Sequence, residues 1–406
     1  MNYEIVIIGG GFGGVRVAKI LSRANWRKGE KIHVTIINKN KYHSFHPNFY
    51  EIAAAYLPEG PSHKEINFYE LFRTSSVSFE EIFLENLNVS ILEDEAVKID
   101  FDKKEVFLKS GEKKEYDFLV LGVGSEANYF GISGLKEKSI SLKELADALN
   151  IRNAIDELFS NLPKNKLLKI VVGGGGFTGC EFAAEIQRYL KTLSRIHGRP
   201  EHYAEVWIVD ISPNILMTAS SWVRSTAKKR LESLGVKIVL NTSIDTILDF
   251  DILIWAGGVS ANSFVKNLSG VKLEKSCLIV DSYMRVLPYQ NVYGVGDAVY
   301  CVNEKTGKPM PMTASMAIRE AKYAAKNIKR SIQRKKLAWY EPNFPGFIIP
   351  LGGRFAIFER GRLHFAGILP WIMKYMVSLN YWISILGFRK GIAIWKNGLN
   401  IFLKND

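Results

Sequence analysis

Gly9-Gly10-Gly11-Phe12-Gly13-Gly14, close to the start of the chain, is the stretch of sequence that decides the fold. It follows an apolar, β-type run at residues 4–8 and opens a segment of helical character. In a G-x-G-x-x-G turn the first glycine makes the tight bend, the second lets the backbone approach a pyrophosphate, and the third lets the helix pack on the strand. The turn therefore predicts a dinucleotide site on Gly9, Gly11 and Gly14, with N–H groups of the helix N-terminus as anion donors.

A second turn of the same kind, Gly174-Gly175-Gly176-Phe177-Thr178-Gly179, follows the apolar residues 169–172. One such turn by itself also fits a purely structural connection between a strand and a helix. Two turns in matched contexts favour two dinucleotides on one chain, the second on Gly174, Gly176 and Gly179. Neither turn requires a metal ion, and we expect none.

The residue that ends the strand after each turn selects the dinucleotide. After the second turn this residue is Asp210, whose carboxylate would accept hydrogen bonds from ribose hydroxyls and repel a 2′-phosphate. Asp210 therefore favours NADH over NADPH. After the first turn it is Asn38, an uncharged amide that would bond a ribose more weakly. The next residue, Lys39, is either a solvated charge or a contact to the adenosine part of the nucleotide.

Composition limits the partners of the chain. Its 406 residues are enough for two or three domains, and 54 Lys and Arg against 41 Asp and Glu give a formal charge of +13. The basic residues are dispersed and form no recognised nucleic-acid motif, so an anionic membrane surface is the better expectation. Cys180, Cys277 and Cys301 form no C-x-x-C pair, which disfavours a disulfide framework, a metal site and a disulfide reductase. We also expect no signal or transit peptide.

The order of the elements indicates an α/β fold with two Rossmann-like dinucleotide-binding domains, the second inserted in the first. Each half repeats strand, glycine turn, helix, strand and closing glycine turn. We assign residues 1–140 and 276–340 to the first domain and residues 141–275 to the second. Within them, the sequence predicts a β-hairpin around residues 97–111 and a helix over residues 141–161 that Ser141 caps.

Residues 341–406 are predicted to form a C-terminal amphipathic segment that associates with a membrane. Residues 367–388 are mainly apolar and are followed by basic side chains at Arg389, Lys390, Lys396 and Lys404. Lys374 would lie in the middle of the bilayer if this stretch spanned it, so a position in the interface fits better. The alternatives are a buried core helix or the interface of a homodimer.

Several segments together resemble the type II NADH:quinone oxidoreductases (alternative NADH dehydrogenases), a group of FAD-dependent proteins with two dinucleotide-binding domains. The segments are residues 40–50 (NKYHSFHPNFY), 128–131 (NYFG), 178–181 (TGCE), 254–259 (IWAGGV) and 296–298 (GDA). The resemblance covers nearly the whole chain. It implies FAD-dependent oxidation of NADH, two-electron transfer to a membrane quinone without proton pumping, and peripheral attachment to the cytoplasmic side of the cell membrane.

The resemblance also implies roles for single residues. It places FAD on Gly9, Gly11, Gly14, Asn38, Lys39, Gly124 and Asp297, and NADH on Gly174, Gly176, Gly179, Asp210 and Gly257. Glu181 matches a glutamate beside both rings, where it would position nicotinamide or help to deliver a proton. Its alternative role is only to stabilise the N-terminus of its helix.

The expected quinone segment contains Ala314, Ser315 and Arg319. The family usually has glutamines where this chain has Ser315 and Arg319, so the electron acceptor is the point at which the sequence departs most from the family pattern.

Other functions remain open from the sequence. A sulfide:quinone oxidoreductase shares the fold and the tail, but it needs cysteines beside the flavin, and Cys180 fits a packing role better. A flavoprotein reductase with a non-quinone acceptor is another alternative. A nucleotide-sensing, membrane-bound regulatory protein would keep the cofactor sites without turnover.

Overall fold

The structure is a computed structural model that describes residues 1–56, 64–161, 163, 166–200, 203–247, 249–303 and 307–403. Lys404, one of the predicted basic residues of the tail, lies outside the described residues.

The helices and strands follow the order expected for an α/β protein. The helices are α1 (Phe12–Ser22), α2 (Phe49–Ala53), α3 (Lys64–Ser75), α4 (Phe79–Phe83), α5 (Leu135–Lys138), α6 (Leu145–Asn161), α7 (Phe177–Ile196), α8 (Ser221–Leu234), α9 (Ser263–Lys266), α10 (Ala314–Ile332), α11 (Ile368–Leu386) and α12 (Phe388–Phe402). The strands are β1 (Asn2–Ile8), β2 (Lys31–Asn38), β3 (Tyr42–Ser44), β4 (Ser76–Ser78), β5 (Val89–Glu93), β6 (Ala96–Asp100), β7 (Glu105–Leu108), β8 (Lys113–Glu115), β9 (Phe118–Leu121), β10 (Ser125–Ala127), β11 (Ile140–Ser141), β12 (Leu168–Gly173), β13 (Ala204–Val209), β14 (Lys237–Val239), β15 (Ile252–Trp255), β16 (Val259–Ala261), β17 (Leu273–Glu274), β18 (Cys277–Ile279), β19 (Val292–Gly294), β20 (Val299–Tyr300), β21 (Val302–Asn303), β22 (Lys308–Pro309), β23 (Phe347–Pro350), β24 (Ala356–Arg360) and β25 (Leu363–Gly367).

The chain forms two compact units, and each is built from three separate segments. Unit 1 comprises Met1–Ser44, Ser76–Glu126 and Val259–Pro345, and unit 2 comprises Phe45–Ser75, Ala127–Gly258 and Gly346–Asp406. The central segment of unit 2, Ala127–Gly258, begins and ends earlier than the range 141–275 that the sequence suggested. Unit 2 also contains Phe45–Ser75 and the C-terminal tail.

Packing explains why these segments belong to unit 2. Phe49 and Tyr50 lie in one hydrophobic cluster with helices α6 and α7, which residue spacing along the chain gives no reason to expect. Leu135 packs with Val171 and Trp255 in a second cluster, which keeps the segment before residue 141 in this unit. The cofactor that each unit binds stays a prediction.

The centre of unit 1 is a parallel five-stranded sheet with the order β19–β9–β1–β2–β5. Strands β1 and β2 pair so that Ile7 lies opposite Ile36 and Ile8 lies opposite Ile37. The later residues of these strands, 5–8 and 34–37, are buried and almost all apolar, as expected for a parallel sheet covered on both faces. A separate antiparallel sheet of β6, β7 and β8 confirms the hairpin predicted around residues 97–111.

Unit 2 contains a second parallel five-stranded sheet, with the order β11–β15–β12–β13–β14. The predicted α/β class with parallel sheets is therefore confirmed. The helix predicted over residues 141–161 begins only at Leu145, because Ser141 lies in β11 and donates its hydroxyl to Asp147 Oδ2 at 3.0 Å. The prediction that Ser141 caps this helix is wrong.

The tail of unit 2 is a three-stranded antiparallel sheet, β23–β24–β25, followed by helices α11 and α12. One side of α11 is buried, including Tyr375, Tyr381 and Trp382. Large apolar side chains on the same helix are exposed, namely Ile368, Leu369, Ile372, Met376 and Val377. In the described part of the chain, no helix is both long enough and apolar enough to cross a membrane.

Candidate functional site

The first glycine turn has the backbone geometry that the sequence predicts. Gly9 has a φ of +102°, and a Cβ atom there would lie 2.3 Å from the carbonyl oxygen of Gly122. A Cβ at Gly14 would lie 1.9 Å from the carbonyl oxygen of Gly9, so the helix can approach the strand only without a side chain. At Gly11 a Cβ would meet nothing within 4 Å. The turn therefore has no room for a side chain at Gly9 or Gly14 and is open at Gly11, as a pyrophosphate cradle requires.

The next strand along the chain, β2, ends beside the first glycine turn. Asn38 is the last residue of β2, and its Oδ1 accepts the backbone N–H of Gly10 at 2.8 Å. Its Nδ2 donates to the carbonyl oxygen of Asn40 at 2.9 Å. Lys39 is exposed and pairs with Glu95 at 2.8 Å, which lowers the pKa of that carboxyl group. The structure thus brings Asn38 to the turn and engages Lys39 with a surface carboxylate.

Two acidic side chains fix the Gly-Asp turn of unit 1. Asp297 accepts the hydroxyl of Ser125, the residue after Gly124, through Oδ2 at 2.6 Å. Gly296 has a φ of +74°, and its N–H donates to Glu320 Oε2 at 2.7 Å. Glu320 is buried, and desolvation raises the pKa of its carboxyl group to about 7. The structure thereby places the predicted residues Gly124 and Asp297 close together.

Sequence reasoning missed Glu320. A signal for it existed, because it is an acid among the apolar, buried positions of the otherwise basic helix α10. Glu320 and Asp297 line a recess of about 220 Å³ together with Thr313 and Met316 among others.

The predicted quinone residues lie at the start of α10. Ala314 is its first residue, and the N-cap Thr313 accepts the N–H of Met316 through its hydroxyl. The hydroxyl groups of Ser315 and Thr313 are 3.1 Å apart. Arg319 is exposed, whereas the next residue of the helix, Glu320, is buried.

The second glycine turn repeats the geometry of the first. Gly174 has a φ of +111°, and a Cβ there would lie 2.5 Å from Gly257 Cα. A Cβ at Gly179 would lie 1.9 Å from the carbonyl oxygen of Gly174, whereas Gly176 is open within 4 Å. Asp210 follows β13, and its Oδ2 accepts the N–H of Gly175 at 2.5 Å. The predicted residues of this turn therefore form one compact cradle.

A tryptophan closes the edge of this cradle. The ring of Trp255 lies so close to Gly257 that a Cβ there would be 2.2 Å from it. Its Nε1 donates to the carbonyl oxygen of Asn128 at 2.8 Å, and the ring of Tyr129 stacks on it. The motif residues at 128–131 and 254–258 thus form one assembly within unit 2, and Gly257 is glycine because the indole fills the space of a side chain.

Glu181 lies in the first turns of α7, next to the second cradle. Desolvation by the surrounding protein raises the pKa of its carboxyl group to about 8, although the side chain keeps partial solvent access. Lys374 lowers this pKa, and Glu51 and Glu185 raise it. A carboxyl group with this pKa holds a proton at neutral pH and can exchange it, as general acid–base chemistry requires.

Cys180 does not have the environment of a nucleophile. It is fully buried, its Sγ donates to the carbonyl oxygen of Gly175 at 3.4 Å, and burial raises the pKa of its thiol. Nucleophilic cysteines need a lowered pKa and access, so Cys180 is a packing residue. Among the described residues, no group of three or more His, Cys, Asp or Glu side chains could hold a metal ion.

Comparison with known proteins shows the family to which the chain belongs. Residues 3–321 match the model of the pyridine nucleotide-disulphide oxidoreductase family. The chain is 26% identical over 370 residues to the type II NADH:quinone oxidoreductase of Staphylococcus aureus (strain NCTC 8325 / PS 47), an alignment that covers 86% of this chain and 87% of the relative.

Two solved structures share the fold. NDH2 of Plasmodium falciparum in complex with NADH matches with a TM-score of 0.83 at 18% identity, over 98% of both chains. The sulfide:quinone oxidoreductase of Aquifex aeolicus matches with a TM-score of 0.75 at 20% identity, over 99% of this chain and 96% of the other. The chain therefore belongs to the pyridine nucleotide-disulphide oxidoreductase family, and its resemblance within that family is to the type II NADH:quinone oxidoreductases.

Proposed function

We propose that this chain catalyses FAD-dependent oxidation of NADH with two-electron transfer to a membrane quinone, without proton pumping. The observation that carries the proposal is the presence of two dinucleotide cradles in one chain, each open at the glycine that a pyrophosphate would approach, Gly11 and Gly176. The S. aureus relative carries the name of this activity. Without a redox-active cysteine pair, electrons from NADH need an acceptor other than a protein disulfide.

Unit 1 fits FAD. Gly9, Gly11 and Gly14 would hold its pyrophosphate, Asn38 would contact a ribose, and Gly124 and Asp297 would contact the ribityl-phosphate region. Bound FAD supplies the hydride acceptor and passes electrons on in pairs. The chain's own part is to fix the Gly-Asp turn through Ser125 and Glu320. Lys39 is the weakest member of this set, because its ammonium group already pairs with Glu95.

Unit 2 fits NADH. Gly174, Gly176 and Gly179 would hold its pyrophosphate, and Gly257 would line the edge that Trp255 closes. Asp210 keeps one oxygen on Gly175 N–H and the other on Ser212 N–H, so a ribose hydroxyl would meet a fixed carboxylate. A 2′-phosphate at the same place would be repelled, which supports NADH as the donor.

Glu181 would supply a proton at the end of the reaction. NADH delivers one hydride, whereas a quinone takes up two electrons and two protons to become a quinol. The balance NADH + H⁺ + quinone → NAD⁺ + quinol therefore needs one proton from the protein or from water. A carboxyl group whose pKa is about 8 carries that proton at neutral pH.

The acceptor would lie near Ala314, Ser315 and Arg319. Short side chains at Ala314 and Ser315 leave room at the start of α10, and Arg319 offers a donor where an amide is usual in the family. We propose a quinone as the acceptor because of the name of the S. aureus relative.

The chain would lie peripherally on the cell membrane. The exposed apolar side chains of α11 and the exposed Arg389, Lys390 and Lys396 of α12 form the mixture of apolar and basic groups that an anionic interface binds. The cytoplasmic leaflet carries the negative surface potential that attracts such groups, so we place the protein on that side. A homodimer that covers the same apolar face is the alternative arrangement.

An anaerobic absorbance experiment tests the proposal. Addition of NADH to the detergent-purified, FAD-loaded protein is expected to bleach the flavin bands, and a short-chain quinone is expected to restore them. Bleaching without recovery would keep the dehydrogenase half and reject quinone as acceptor. Bleaching by sulfide instead of NADH would indicate a sulfide:quinone oxidoreductase, and no bleaching by either would indicate a nucleotide-sensing regulatory protein.

A further inference from the structure

A group of ionisable side chains in unit 2 surrounds Glu181, and we call it the Lys374 cluster. It contains one cation and three carboxyl groups from three different helices. Its members are Tyr50 and Glu51 on α2, Glu181 and Glu185 on α7, and Lys374 and Tyr375 on α11. Ionising Glu51 and Glu181 together beside the ammonium group of Lys374 in a desolvated site carries a large cost, which favours a proton on Glu181.

Within the cluster, Glu51 forms an ion pair with Lys374. Its Oε1 lies 2.7 Å from Lys374 Nζ, and the side chains are only 6% and 13% exposed. The hydroxyl of Tyr375 donates to the same oxygen at 2.9 Å. Lys374 is also held over the rings of Tyr50 and Tyr375, at 5.0 and 4.7 Å from their centroids. Glu51 and Lys374 thus form a buried ion pair that the Tyr375 hydroxyl and two aromatic rings hold in place.

The two members of this pair act on the pKa of Glu181 in opposite directions. Lys374 favours the ionised form of Glu181, while Glu51 and Glu185 oppose it, and desolvation opposes it most. Because Glu51 pairs with Lys374 at close range, it offsets part of the effect by which the ammonium group lowers the pKa of Glu181. Without Glu51, the pKa of Glu181 would fall for two reasons. A repelling carboxylate would be lost, and Lys374 would be released from its ion pair.

Other charged groups near these helices have different partners. Arg230 on α8 acts on Glu185 and donates to the carbonyl oxygens of Leu351 and Gly352. Arg152 on α6, the helix that packs against α2, donates to the carbonyl oxygen of Ala55 and pairs with Asp156. The thiol of Cys180, next to Glu181, stays protonated because burial raises its pKa. Lys374 is therefore the cation that acts on Glu181.

Two side-chain oxygens of the Lys374 cluster are buried without a hydrogen-bond partner among the described residues. They are Glu51 Oε2 and Tyr50 Oη. Buried polar atoms of this kind are places for ordered water or for a ligand group. Both atoms lie on α2, which packs against α7. They could therefore hold water near the carboxyl group of Glu181, which must be reprotonated in each turnover.

We propose that Glu51 is a positioning residue which holds Lys374 in an ion pair and thereby keeps a proton on Glu181 for delivery to the reduced acceptor. The delivery step rests on the function proposed above, whereas the coupling of the three side chains does not. The proton leaves the Glu181 carboxyl group for a quinone oxygen that has received the electron pair, and water then returns a proton to the Glu181 carboxylate.

The test is an infrared difference titration of the full-length, FAD-loaded protein in the absence of NADH. The carbonyl band of protonated carboxyl groups is followed against pH, and the part that Glu181→Gln removes is assigned to Glu181. In the wild type this part should disappear with a midpoint near pH 8. Glu51→Gln should lower the midpoint by about 1 pH unit or more, and Lys374→Met should raise it. The rise is expected because Lys374 is the largest charged influence on Glu181 and lowers its pKa.

Matched variants separate this coupling from a structural role. Glu205→Gln breaks the exposed ion pair of Glu205 with Lys237 in the same unit and should leave the midpoint unchanged. Glu51→Asp and Lys374→Arg keep the charges and should stay close to the wild type. A folded Glu51→Gln protein with an unchanged midpoint would overturn the proposal. If Glu51→Gln does not fold, Lys374→Met against Lys374→Arg decides, and equal midpoints in that pair would overturn it too.

Turnover gives an independent readout. The alkaline limb of the pH profile for kcat with NADH and quinone should move to lower pH in Glu51→Gln, in step with the infrared midpoint. If the wild type shows no turnover with quinone, the proposed function and the delivery step fail together. The infrared titration still decides whether Glu51 and Lys374 set the charge on Glu181.

Discussion

Asn38 and Asp210 make the same contact in two different units: each side chain accepts the N–H of the middle glycine of its turn. The distance is 2.8 Å from Asn38 Oδ1 to Gly10 N and 2.5 Å from Asp210 Oδ2 to Gly175 N. An amide and a carboxylate thus do the same work for the backbone. The difference between the two sites is the negative charge of a carboxylate, which Asn38 lacks and Asp210 has.

Asp210→Asn is therefore expected to keep the fold and to lose the choice of nucleotide. The amide can accept Gly175 N–H as Asn38 accepts Gly10 N–H, but it no longer repels a 2′-phosphate. We expect the ratio of kcat/KM for NADH over NADPH to fall by about 10-fold, which corresponds to about 1.4 kcal/mol. Asp249→Asn, at an exposed carboxylate of the same unit, is the control. An unchanged ratio in Asp210→Asn would show that Asp210 does not read the ribose.

Alanine at two glycines of the second turn should separate folding from binding. A Cβ at Gly179 would collide with the carbonyl oxygen of Gly174, so Gly179→Ala should lose folded protein, as seen by circular dichroism and thermal unfolding. At Gly176 there is open space, so Gly176→Ala should fold and bind NADH weakly, because the methyl group occupies the path of the pyrophosphate. Wild-type NADH affinity in Gly176→Ala would contradict the assignment of this cradle.

Much of the fold could be predicted because the decisive signals are local. The glycine turns, the apolar strands before them and the acid or amide after the next strand all lie within a few dozen residues and have fixed backbone roles. The first and last glycines that the pattern marks in each turn, Gly9 and Gly14 or Gly174 and Gly179, are positions at which a Cβ would collide. The strands and helices lie close to the positions that the sequence predicts, except that Ser141 belongs to a strand and not to the predicted helix.

The parts that could not be predicted depend on contacts between distant residues. Lys374 suggested a charge at a membrane interface, but its partner Glu51 lies more than three hundred residues away in the sequence. Glu320 stood out only as an acid on an apolar helix face, and its partner Gly296 is visible only in the fold. Residue spacing also gives no sign that the segment Phe45–Ser75 belongs to unit 2.

Glu320→Gln should change how stability depends on pH. The pKa of Glu320 is about 7 in the folded protein and near 4.5 when unfolded, so the carboxyl group stays protonated on folding and must be ionised against desolvation as the pH rises. Its contribution to stability is complete below the unfolded pKa and is lost as the pH rises through about 7. Glutamine can still accept Gly296 N–H but does not titrate.

The measurement is urea unfolding of both proteins at about pH 5 and about pH 8. Relative to the wild type, the variant should gain up to about 3 kcal/mol between these two conditions, since one pKa unit corresponds to about 1.4 kcal/mol. Other groups, including Glu181, titrate in both proteins and cancel in the difference. Parallel pH dependences would mean that Glu320 is not protonated in the folded state.

The exposed face of α11 should govern attachment to membranes. Ile372 and Met376 are one helical turn apart and are 44% and 53% exposed, so serine at both positions removes apolar surface without disturbing the buried Lys374 cluster. Cosedimentation with vesicles of phosphatidylglycerol and phosphatidylcholine should show at least about 10-fold weaker binding of this double variant. Leu87→Ser changes an apolar side chain of unit 1 that is 98% exposed and should bind like the wild type. If the double variant binds vesicles normally but sediments as a smaller species than the wild type, this face is a homodimer interface and not a membrane contact.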